Sequence, residues 1–127
     1  MKSKVLLMAL VLISPTAFTA DLSGAYQKQN GVVEVQQQGN QVAFSINSSV
    51  DMHACNLGED DQPLVARMLD ATRAAWTSEE MSDRCVVVLN FAGGQLKVTT
   101  KDCDSYCGMD AVGSMDGTYH RENRAGH

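Results

Sequence analysis

Four cysteines are present, yet no two of them form a C-x2-C pair. Zinc sites and thioredoxin-like redox centres are built on such a pair, so its absence speaks against both. The chain also lacks a G-x-S-x-G elbow, an H-E-x-x-H pair and a Walker loop. Those gaps remove the common serine-hydrolase, metalloprotease and nucleotide-binding chemistries. Cations are scarce, with ten Lys+Arg against fifteen Asp+Glu. A phosphate backbone is gripped by Lys and Arg, so no nucleic acid is expected as a partner. Beyond residue 20 there is no further apolar run, so membrane insertion is not expected either.

The first twenty residues, "MKSKVLLMALVLISPTAFTA", have two lysines, an apolar core from Val5 to Ile13, then Ser14, Pro15 and small residues. That is the layout of a signal peptide cleaved near Ala20, and it predicts export of one domain spanning 21–127. The exported part keeps eight Lys+Arg and all fifteen acids, a formal charge of −7. Such a domain suits a basic protein partner, because opposite potentials speed encounter.

All four cysteines, Cys55, Cys85, Cys103 and Cys107, fall in the exported part. An even count in an oxidising compartment reads as two disulfides. Three connectivities are open. The expected one closes Cys103–Cys107 as a tight local loop and leaves Cys55–Cys85 to tie two distant segments.

Hydrophobic periodicity points to strands. Val33 and Val35 alternate with Glu34 and Gln36, and after Gly39-Asn40 come Val42, Phe44 and Ile46 in alternation. Period-2 patterns on both sides of a turn dipeptide predict a hairpin, with "SGAYQKQ" as a preceding strand. A second hairpin is expected in "RCVVVLNFAGGQLKVTT", with Cys85, Val87, Leu89 and Phe91 on one face. The last strand, "GSMDGTYHR", echoes the first, "LSGAYQK": each has Gly-x-Tyr ahead of a basic residue. Side-by-side strands that close the sheet would explain the echo. Between the hairpins, Leu64, Val65, Met68, Leu69, Ala75 and Trp76 recur at helical spacing, which favours a short helix within 63–78 over two strands joined near Asp70. Trp76 and Phe91 are expected in the core. The fold class is therefore mainly β: a small antiparallel sandwich or barrel with two disulfides.

Candidate chemistry is thin. Of the three histidines, His127 ends the chain. Cysteines in disulfides offer no thiolate. "DCDSYCGMD" carries acids at its first, third and ninth positions, but lacks the glycine at six and the glutamate at twelve that a calcium loop requires. Met52 and His53 beside Cys55 hint at copper. A strand end with a surface histidine explains them more simply, so no metal site is assigned. No cofactor is expected, and the protein is read as a binder rather than an enzyme.

Cys55-Asn56-Leu57-Gly58, then Cys85 to Phe91 with the Gly93-Gly94 turn, then Asp102-Cys103, Tyr106-Cys107-Gly108 and Asp116-Gly117-Thr118-Tyr119 form a pattern of small exported bacterial proteins. In layout the chain resembles the periplasmic immunity proteins of the type VI secretion system. These guard their owner's cell wall against a spike (VgrG) effector with a peptidoglycan-cleaving domain. More loosely it resembles periplasmic lysozyme inhibitors. The resemblance implies a periplasmic homodimer that plugs the muramidase-like cleft of its effector. The residues expected to touch the partner are Asp102, Asp104, Tyr106, Met109 and Asp110, with Tyr106 the best single anchor, since tyrosine is enriched in hot spots; the alternative for Tyr106 is that it packs against its own sheet. Glu59, Asp60 and Asp61 are the competing region. The alternative function is a small envelope-associated binding or structural protein.

Overall fold

The computed structural model describes residues 21–79 and 84–122; the segment 1–20, expected to be a signal peptide, lies outside them, as do 80–83 and 123–127. Nine strands follow in chain order: β1 (Gly24–Lys28), β2 (Gly31–Gln38), β3 (Gln41–Val50), β4 (His53–Leu57), β5 (Leu64–Met68), β6 (Arg73–Thr77), β7 (Val86–Ala92), β8 (Gln95–Lys101) and β9 (Gly117–Arg121). Their order in the sheet is β2-β1-β9-β8-β7-β6-β5-β3-β4, and a further β2–β3 pairing closes eight of them into an antiparallel barrel. The ninth, β4, lies outside the ring. The ten-residue β3 makes this possible, because Gln41–Phe44 pair with β5 and Ile46–Val50 pair with β4.

Alternation decides which side chains enter the barrel. Val33 and Val35, Val42, Phe44 and Ile46, Val87, Leu89 and Phe91, and Leu96 and Val98 are all buried. Their strand neighbours Glu34, Gln36, Asn90, Lys97 and Thr99 face outward and are exposed. Apolar-inside and polar-outside is the reverse of a membrane barrel. Among the described residues, no helix is long and apolar enough to cross a membrane.

The expected echo of Gly-x-Tyr is a local twofold. β1 and β9 pair with Tyr26 opposite Arg121 and Gln27 opposite His120. Each tyrosine donates its hydroxyl to the carbonyl four residues earlier, Tyr26 to Leu22 and Tyr119 to Met115, both at 2.7 Å. Each strand's cation covers the other's ring: Arg121 lies 5.3 Å from the Tyr26 centroid and Lys28 5.2 Å from that of Tyr119. The glycines make room. A Cβ on Gly24 would sit 3.5 Å from Arg121 Nε, and one on Gly117 3.3 Å from Lys28 Nζ.

The expected helix within 63–78 is not there; β5 and β6 occupy that stretch. Asp70 shows why the chain turns. Its Oδ1 accepts from the backbone N–H of Thr72 and of Arg73, at 3.0 and 2.9 Å, and its Oδ2 from Arg73 Nε at 2.8 Å. This side chain closes a loop that a helix would have to run through. The ring also needs two strands to bridge β3 and β7, and that pairing outweighs a weak local preference. Phe91 is in the core as expected. Trp76 is half-buried against it.

A disulfide-anchored strap as candidate functional site

The two ends of the barrel are built differently. At one end the strands are joined by tight turns at 39–40, 69–72 and 93–94. At the other, residues 102–116 cross the barrel mouth as a strap. Asp102 starts it in a left-handed conformation, φ 58°. Cys103 is then bonded to Cys85 at the head of β7. A 3-10 turn, Asp104–Tyr106, leads to Cys107, which is bonded to Cys55 in β4. The expected connectivity is thus wrong in both bridges. The strap runs from the head of β7 to β4, so each of its cysteines meets a cysteine on one of those segments and not the other.

Beyond Cys107 the strap lies on β4. Gly108 N–H donates to Ala54 O at 2.8 Å. A Cβ on Gly108 would sit 3.1 Å from both Cβ and Nδ1 of His53, so a larger residue here would have to push that side chain aside. A second 3-10 turn, Met109–Ala111, follows. Ser114 and Ser48 share a hydroxyl hydrogen bond of 2.7 Å, and Thr100 N–H donates to Asp116 Oδ1 at 3.0 Å. Ala111 and Met115 are buried beneath and seal the mouth. Lys28 Nζ donates to Asp116 O. Burial lowers the pKa of this lysine against the opposing pull of Asp116. Burial, aided by the Asp116 charge, also pushes the Tyr119 phenol well up.

The five expected contact residues divide. Asp102, Asp104, Met109 and Asp110 are exposed on the strap. Tyr106 is half-buried, with its ring edge-to-face with Trp76 at 6.5 Å; Trp76 is edge-to-face with Phe44 at 6.3 Å. The anchor expected for a partner is therefore largely taken up in packing the strap onto the core. The competing acids Glu59, Asp60 and Asp61 lie in the β4–β5 loop, where Asp60 accepts a hydrogen bond from Ser45 Oγ at 3.2 Å.

The sequence reading did not join the β3–β4 turn to the strap. His53 Nε2 stands 3.4 Å from Asp110 Oδ2, both side chains open to solvent. Met52 is the neighbour of one and Met109 of the other. No local signal links segments more than fifty residues apart; the Cys55–Cys107 bridge and the Gly108–Ala54 and Ser48–Ser114 hydrogen bonds do. Chemically the end is acidic and stiff. Asp51, Asp102, Asp104 and Asp110 are exposed there, with Lys101 and Arg84 as the cations of the adjoining strand ends. Among the described residues, no group of three or more His, Cys, Asp or Glu could hold a metal, and no cysteine is free.

No protein-family model, curated protein or solved structure matches the chain.

Proposed function

We propose that the protein is an immunity-type inhibitor that acts in the periplasm as a homodimer and blocks a peptidoglycan-cleaving, lysozyme-like effector by protein–protein contact, without catalysis of its own. The observation that carries this reading is the acidic strap held across the barrel mouth by two disulfides. A loop tied at both walls loses little conformational entropy on docking, so more of its contact energy appears as affinity. Its carboxylates favour a basic partner and reject an acidic one. Two disulfides also fit an exported protein.

The rival, an envelope-associated binder of small ligands, has less support. Small-ligand barrels leave their interior open. Here the interior is filled by Tyr26, Tyr119, Phe44, Ile46, Leu89 and Leu96. What remains is shallow surface, such as the groove of about 520 Å³ lined by Val65, Trp76 and Glu79 between β5 and β6.

The test is inhibition of peptidoglycan clearing by a panel of basic hydrolases, including a lysozyme and the hydrolase domain of a spike effector. Stoichiometric inhibition of one member is expected. Full clearing by every member at excess protein would overturn the reading.

A further inference from the structure

Among the described residues, six large apolar side chains are exposed: Val50, Met52, Val65, Leu69, Met109 and Val112. Val65 and Leu69 flank the β5 wall. The other four come from two segments, the β3–β4 turn and the strap, that meet where His53 faces Asp110. Met52 and Met109 are 96% and 87% exposed, so neither packs against its own chain. Folding gives no reason to hold two thioethers in water at the tip of a stapled junction. Methionine adapts its shape to an apolar partner surface and is over-used at binding surfaces.

We infer that Met52 and Met109, flanked by Val50 and Val112, form an apolar wedge that leads the protein into the cleft of a basic hydrolase. This rests on the inhibitor reading above and names the surface that performs it. The wedge is held from both sides. Cys55–Cys107 ties its segments covalently, and the bond from Gly108 N–H to Ala54 O closes the gap between them. Asp51 precedes Met52 and Asp110 follows Met109, both exposed, and Asp102 and Asp104 are exposed nearer the Cys103 end of the strap. An apolar crest inside an acidic rim matches a cleft with an apolar floor and a Lys/Arg rim, because core contacts supply affinity and rim charges supply orientation. The same rim decides against a second copy of this chain, since two such ends would meet acid to acid.

The experiment is calorimetric titration of the disulfide-bonded protein against the hydrolase panel, with sedimentation of each variant. Met52→Ser with Met109→Ser is expected to weaken binding by about tenfold or more, as loss of central anchors does, and to leave the melting temperature in place. Val65→Ser with Leu69→Ser, on the β5 wall, is the control and is expected to keep the parent's affinity. Parent binding that survives the double methionine change would overturn the wedge and leave the inhibitor reading standing. A parent protein that binds no member of the panel would overturn both. A methionine variant that dissociates the protein's own oligomer would assign the wedge to a second copy and overturn it as a cleft-binding surface.

Discussion

The two ends of the barrel solve one problem in opposite ways. Both must reverse the chain between antiparallel strands. The turn end does so with two residues at 39–40 and 93–94 and four at 69–72. Gly93 and Gly94 both take positive φ, 56° and 81°, and Gly39 takes 64°, with open space around each. The other end uses a long strap, two disulfides and two 3-10 turns, and its left-handed positions include Asp51 and Asp102 beside Asn30 and Gly113. The β1–β9 twofold runs through both. Tyr26 with Arg121 serves the turn end and Tyr119 with Lys28 the strap end, so one local motif works in both settings. The lesson is that turn chemistry is enough where strands meet in register. A covered barrel mouth needs covalent ties, because the strap has few buried apolar groups of its own.

Breaking the bridges tests that contrast most strongly. Cys55→Ala with Cys107→Ala is expected to cost about 4 kcal/mol from the closed-loop entropy of its 52-residue separation. The pair at 85 and 103, separated by 18, is expected to cost about 3 kcal/mol. Urea melts of the two variants read this directly, and the reverse order would overturn the loop-length account. At the turn end the largest local effect is smaller. Gly94→Ala is expected to cost about 1 kcal/mol through its left-handed φ alone. A neutral result in the same melt would mean that the turn rearranges.

On the proposed function, charge at the strap end acts on binding rather than stability. Asp102→Asn with Asp104→Asn is expected to move stability by less than about 0.5 kcal/mol, as exposed changes do. The same change should weaken hydrolase binding severalfold and flatten its dependence on salt. Affinity that keeps its full salt slope would place the acidic contact elsewhere. Asp70 at the turn end gives the smallest effect. Its hydrogen bond from the Arg73 side chain, then that from Thr72 N–H, holds its pKa at about 2, down from 3.8. A carboxyl depressed in the folded state stabilises above its unfolded value and loses that contribution as pH falls through the folded one. The loss should therefore appear between pH 3.8 and about 2. Carboxyl NMR should find the Asp70 midpoint near 2, and a midpoint near 3.8 would show that the Arg73 contact does not form in solution.

The hairpins were legible because period-2 alternation and glycine turns are local. Val33 to Ile46 and Val87 to Val98 bury the faces that their spacing announces. The stretch from Leu64 to Trp76 misled, because its apolar residues satisfy both periods and only the need to close the ring selects strands. At the candidate site, the aspartates and Met109 were legible as a polar loop. The contact of Asp110 with His53 was not, and although packing of Tyr106 on its own sheet was one of its two readings, Trp76 as its partner was not legible.

Composition, alternation and cysteine parity by themselves determined an acidic β domain with two disulfides, since each follows from residue type and short-range spacing. Which cysteine meets which, that Tyr106 packs on Trp76, and that His53 faces Asp110 were decided only by the tertiary structure. The closing of the barrel brings β4 beneath the strap, and no rule of sequence distance carries that contact.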